Sequence, residues 1–134
     1  MPALDTNVLV RYVVRDDPAQ LREAERVISL YEGEREALFI PITVALEFEW
    51  VLRSAYEVAK PAVLELFGRL LDSRELRFQE ESVLERALYL YRDGNADFAD
   101  CLHIASALSV GEDPLLTFDR RAAKLPYAQH ISGA

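Results

Sequence analysis

The chain has 134 residues, with 15 basic and 23 acidic side chains and a net charge of -8 at neutral pH. That length suits one domain with an ordinary core, and a half-apolar, quarter-charged composition argues against wholesale disorder. Lys60 and Lys124 are the only lysines, so a general basic coat for nucleic acid is excluded and any phosphate contact must come from a local patch.

In chain order, "PAL" at residues 2–4 predicts a first strand, while "NVLVRYVV" is β-branched and stays open between strand and helix. "RDDPAQLREAERVISLYEG" predicts a helix with Asp17 as N-cap and Pro18 at its first position. Leu21, Ala24, Ile28 and Tyr31 form its apolar face, and Gly33 stops it. "ALFIP" reads as a short buried strand, Thr43 as the cap of a helix "VALEFEWVLRSAYE", and Pro61 as the start of another, "AVLELFGRLLDS".

"LRF" is a further strand and "SVLERALYLYRDG" a helix closed by Gly94. "DFADCLHIASALSVG" is a buried helix closed by Gly111, and "PLLTF" is the final strand. Short buried strands alternating with helices imply an α/β fold with a parallel sheet covered on both faces. With no repeat, low-complexity tract or Gly/Ser linker, residues 1–134 read as a single domain.

One cysteine, Cys101, excludes an internal disulfide and fits a reducing compartment. "MPALDTNVLV" has neither the basic region nor the apolar stretch of a signal peptide, and no apolar run nears the length of a membrane span. The expectation is a cytoplasmic protein without membrane contact.

The informative residues are acids. In open α/β sheets, ligands sit at the carboxyl ends of strands. Asp5 follows "PAL", Asp119 follows "LLTF", and Asp97 and Asp100 open an otherwise apolar helix. In the helix after "ALFIP", Glu49, Arg53 and Glu57 form a row four residues apart that reads as solvated. Glu47 instead has Val44, Trp50 and Val51 as helical neighbours, an unpaired acid on an apolar stripe that is costly unless it binds something.

Each acid also has a local reading. Asp97 and Asp100 would serve as N-cap and third residue of their helix, Asp5 with Thr6 and Asn7 as a turn and cap, Asp119 as the cap of "RRAAK", and Glu47 as an edge residue. One site explains all five together. Clustered carboxylates repel unless something compensates, and hard cations such as Mg²⁺ or Mn²⁺ take carboxylate ligands. His103 and His130 are too few for zinc; His103 reads as a surface or half-buried helix residue and Cys101 as core.

Acids around one or two such cations activate water for attack on a phosphodiester. Thr117, on the strand side of Asp119, and Thr6 and Asn7 beside Asp5, are candidates for orienting water or a phosphate. Arg11, Arg15, Arg120 and Arg121 lie next to these acids and are candidates for a local phosphate-contacting patch, with a solvated helix face as the alternative.

"LDTNVLVRYVVRDDP", "TVALEFEWVL", "ADFADCLHIASAL" and "LLTFDRRAAKL" stand in the order and approximate spacing of the PIN domain, and in particular resemble the VapC-type toxins of bacterial toxin-antitoxin pairs. The resemblance spans nearly the whole chain except residues 55–93. It implies a three-layer α/β/α sandwich with a central, mostly parallel sheet. It further implies a Mg²⁺- or Mn²⁺-dependent endoribonuclease with Asp5, Glu47, Asp100 and Asp119 around the metal and Asp97 as an additional acid. The implied partners are a structured RNA such as transfer RNA or ribosomal RNA, a cognate antitoxin whose tail wraps the toxin, and a second copy in a homodimer.

The alternatives are a PIN nuclease that is not a toxin, a PIN fold kept as a binding module, and, further off, a Mg²⁺-binding receiver domain. A receiver needs an acceptor Asp after a middle strand and a Lys after the last, and "LFIPIT" ends without an Asp. A haloacid-dehalogenase-type phosphatase needs Asp-x-Asp after strand one, where this chain has Asp5-Thr6-Asn7.

Overall fold

A computed structural model describes residues 2–31 and 37–132, and its contacts divide the chain into two compact units, Met1–Glu81 and Ser82–Ala134. In the first unit, "PAL" contributes no strand of its own. Ala3 makes an isolated parallel bridge to Phe39, with Leu4 N–H donating to the Phe39 carbonyl at 2.9 Å. The undecided "NVLVRYVV" is helical: α1 runs Thr6–Val14, started by Asp5, whose carboxylate accepts from the Thr6 N–H at 2.7 Å. Thr6, Leu9 and Val10 are its buried positions, the three-to-four spacing that a helix needs.

α2, Pro18–Ser29, begins as the sequence predicts: Asp17 accepts from the Gln20 N–H at 3.1 Å, with Pro18 at the first position. Ala24 and Ile28 are buried, and the helix ends at Ser29, before Tyr31; Gly33 lies outside the described residues. β1, Leu38–Ile40, pairs in parallel with β2, Leu76–Phe78, in the register Leu38↔Leu76 and Ile40↔Phe78. Between them come α3, Ile42–Ser54, and α4, Lys60–Leu71, packed through an edge-on contact of Phe48 and Phe67 with centroids 5.4 Å apart.

Thr43 does not cap α3. Pro41 holds that position and has no acceptor to offer, so the Ile42 N–H donates at 2.9 Å to the side chain of Gln79, just past β2. A tertiary contact supplies what the local sequence lacks.

In the second unit, α5, Glu81–Asp93, and α6, Phe98–Ser109, meet at Tyr91 and Phe98, centroids 5.3 Å apart. Gly94 lies between them because a Cβ there would come within 2.8 Å of Leu125 Cδ2 and 3.2 Å of the Leu90 carbonyl. α6 buries Phe98, Cys101, Leu102, Ile104 and Ala105, and Gly111 beyond it takes φ +75°, as a helix stop requires.

β3, Leu115–Thr117, is not the final strand. A short 3₁₀ helix, Ala122–Lys124, leads to β4, Ala128–His130, which pairs with β3 in parallel. "AQH" has too few β-branched or apolar residues to be read as a strand alone; its ladder partner makes it one. Parallel strands joined through helices recur in both units, the α/β class that the sequence predicts. Among the described residues no helix is long and apolar enough to cross a membrane.

Candidate active site

In the first unit, Asp5 stands at the start of α1 with one carboxylate oxygen committed to the Thr6 N–H. Thr6 is buried, and its hydroxyl donates to the Glu47 carboxylate on α3. Asp5, Thr6, Asn7 and Glu47 line one cavity of about 420 Å³ together with Val10, Arg11, Val51 and Tyr56. Four of the residues singled out in sequence are therefore neighbours here, with Arg11 as a fifth.

The Glu49–Arg53 pairing that the sequence predicts forms, but the solvation of the two glutamates of α3 is the reverse of that expected. Glu49, read as solvated, is 2% exposed and ion-paired with Arg53 at 2.9 Å, whereas Glu47, read as an acid on an apolar stripe, is exposed at the cavity. The helix turns the Val44, Phe48 and Leu52 face inward, and Glu49 goes with it because Arg53, four residues on, follows it as a partner. Helical spacing alone does not say which of two adjacent acids lies over the core.

Arg11 is already engaged: it donates to Gln20 at 2.5 Å, Asp16 at 2.7 Å and Tyr56 at 3.0 Å. The Asp16 hydrogen bond holds the guanidinium above its ordinary pKa and, reciprocally, holds the Asp16 carboxyl below its own. Arg11 thus ties α1 to the start of α2 instead of standing ready for phosphate. Arg15, at φ +63° after α1, is exposed.

In the second unit, Asp97 occupies the N-cap of α6 by position, yet its side chain makes no cap hydrogen bond. The local reading of Asp97 as a side-chain cap therefore fails. Asp100, one turn on, is half-buried. Burial pushes its carboxyl above the ordinary value, and Asp119 and Asp97 push the same way, while His103 opposes them. Asp119 and Asp97 thus both act on Asp100, with His103 on the margin.

Asp119 does act as the cap of "RRAAK". Its Oδ1 accepts from Arg121 N–H at 2.8 Å and Ala122 N–H at 3.0 Å. The Ala122 bond, then that of Arg121, holds Asp119 below its ordinary pKa. Thr117 keeps that turn in place by accepting from the Asp119 N–H at 3.0 Å, so its oxygen has a structural duty not foreseen in the sequence. Arg120 and Arg121 are exposed directly after Asp119, and Cys101 is fully buried, as a core cysteine should be.

His103 is the surface helix residue that the sequence suggests, and its place beside Asp100 is what the sequence reading did not use. It is exposed, three residues after Asp100 and so one turn along the same face of α6, and that spacing was the available signal.

The donors match a hard divalent cation in type and charge: oxygen ligands only, with an acid of raised proton affinity that positive charge would relieve. Among the described residues no three Asp, Glu, His or Cys side chains converge closely enough to cage an ion as they stand, so the fit is one of chemistry. The model of the PIN domain family matches residues 3–126. No curated protein matches the sequence significantly.

Proposed function

Because the chain belongs to the PIN-domain family, an α/β/α fold whose members are generally nucleases that use divalent metals, we propose that it is a Mg²⁺- or Mn²⁺-dependent endoribonuclease acting as the toxin of a toxin-antitoxin pair. Asp5, Glu47, Asp100 and Asp119 carry the reaction, and Asp97 is a supporting acid. The observation behind this reading is Asp100: a half-buried acid crowded by Asp119 and Asp97, where Asp97 forgoes the cap hydrogen bond its position offers.

Bound by carboxylates of this kind, a divalent cation would supply positive charge to lower the pKa of a water and to offset negative charge on the phosphoryl oxygens. The chain's own part is orientation. Thr6 fixes the Glu47 carboxylate, and the turn after β3 fixes Asp119.

The toxin assignment draws on the four motifs and their order. A cognate antitoxin with a basic tail suits a chain of net charge -8, and the toxin reading brings with it a homodimer and a cytoplasmic location. The substrate is a structured RNA, transfer or ribosomal.

The test is incubation of purified protein with RNA and Mn²⁺, with and without chelator, beside growth of a bacterial host expressing wild type or Asp5→Asn. Cleavage that the chelator abolishes, and arrest by the wild type alone, are the expected results. Arrest by both proteins or by neither removes the toxin reading, and no metal-dependent cleavage removes the nuclease.

A further inference from the structure

We propose that Phe118 is a stacking platform for an unpaired nucleobase, held beside Asp119 by the turn after β3; this rests on the nuclease reading above. Phe118 is 75% exposed, more than any other exposed large apolar side chain described, at a position where burial would have been favourable. The ring is not carried on a loose loop. Ile131 N–H donates to the Thr117 carbonyl at 2.9 Å, Asp119 N–H to the Thr117 hydroxyl at 3.0 Å, and Ala123 N–H to the Asp119 carbonyl at 3.0 Å. Backbone on both sides of Phe118 is thus pinned, and the ring is presented to solvent from a fixed mount.

Its neighbours indicate what it presents itself to. The next residue is the carboxylate Asp119, and Arg120 and Arg121 follow, both exposed. An aromatic face beside exposed guanidinium groups is the combination that binds single-stranded nucleic acid, the ring taking a base and the cations a phosphate. Those cations favour a polyanion over an apolar protein surface as the occupant. A base inside a duplex has both faces stacked and offers none to Phe118, so the ring selects an unpaired nucleotide and sets its phosphate near Asp119.

The experiment compares wild type, Phe118→Ala, Phe118→Leu and Phe118→Trp for binding of a short labelled single-stranded RNA and of the same RNA annealed to its complement. Binding is read by fluorescence anisotropy without added metal, cleavage with Mn²⁺, and oligomeric state by sedimentation. The expected result is roughly 10-fold weaker binding of single-stranded RNA by the Ala and Leu variants, with Trp equal to or better than wild type, and little change on duplex. Because the side chain is exposed, all four proteins fold alike.

Equal binding by all four, or a Trp variant as weak as Ala, overturns the stacking role while leaving a wild type that cleaves RNA as a nuclease. A Phe118→Ala variant that changes oligomeric state and not RNA binding shows that a second copy covers the ring, and also overturns it. A wild type that neither binds nor cuts RNA ends the nuclease reading and this role with it.

Discussion

The Thr6 hydroxyl donates to the Glu47 carboxylate across 41 residues of sequence, joining the first turn of α1 to the middle of α3. Thr6 and Glu49 are the two buried polar residues described, so this bond is made from the protein's interior outward to an exposed acid. Outer-shell hydrogen bonds of this kind orient a ligand and tune it.

Thr6→Val keeps the shape and removes that donor. If Glu47 is a metal ligand, the Mn²⁺ concentration for half-maximal cleavage rises by roughly 10- to 100-fold, with a stability loss of about 1 kcal/mol. A metal titration of cleavage beside a thermal melt checks both. Overlaid titrations would leave Thr6 as a helix-start residue only.

The two glutamates of α3 separate stability from activity. Arg53→Ala leaves the buried Glu49 short of countercharge at a half-open position, and about 2 kcal/mol of stability is lost. Glu47→Gln, exposed at the cavity, changes stability by under about 0.5 kcal/mol and loses cleavage. Urea denaturation and the RNA assay on both variants decide; the reverse pattern refutes the assignment.

Asp100 should give a pH signature. Its folded pKa is raised, so the folded protein binds the proton more tightly, and the associated stability is present below the ordinary carboxylate range and lost as pH rises through the folded value. With chelator present, Asp100→Asn therefore melts higher than wild type at neutral pH, and the gap closes in acid. Added Mn²⁺ should raise the wild-type Tm and not that of the variant. A pH-independent gap would point to packing instead.

Asp119 has a duty as cap and a proposed duty as ligand, and Asp119→Ser divides them. A serine hydroxyl can accept the Arg121 and Ala122 N–H bonds but carries no charge. The expected outcome is a Tm close to wild type with cleavage lost. Cleavage retained in the serine variant would leave Asp119 a cap alone.

Arg120→Glu should weaken RNA binding and lower the slope of log K against log salt by about one. Arg11→Ala should act differently, lowering Tm by releasing Asp16 and Gln20. Salt titrations of RNA binding for the two variants check this. An Arg120 variant with wild-type slope would place that side chain outside the RNA path.

Local signals in the sequence were enough wherever the physics is local. Asp17 with Pro18 started α2, Gly111 ended α6, and the almost uncharged run of residues 98–109 announced a buried helix, because caps, φ preferences and apolar composition act within one or two turns. The acids stood out for the same reason: Asp5, Asp97, Asp100 and Asp119 lie at element ends that can be recognised from flanking residues.

Tertiary structure decided what depends on partners distant in the chain. "PAL" formed a single bridge instead of a strand, and "AQH" became β4 only through its ladder with β3. Gln79, not Thr43, satisfied the first N–H of α3. Which of Glu47 and Glu49 faces water depended on where the core meets α3, and Asp97 was released from cap bonding in a way its sequence position could not disclose. A side chain's type and spacing are written in the sequence, but its solvation, which sets the cost of its charge, exists only once the surrounding elements have packed.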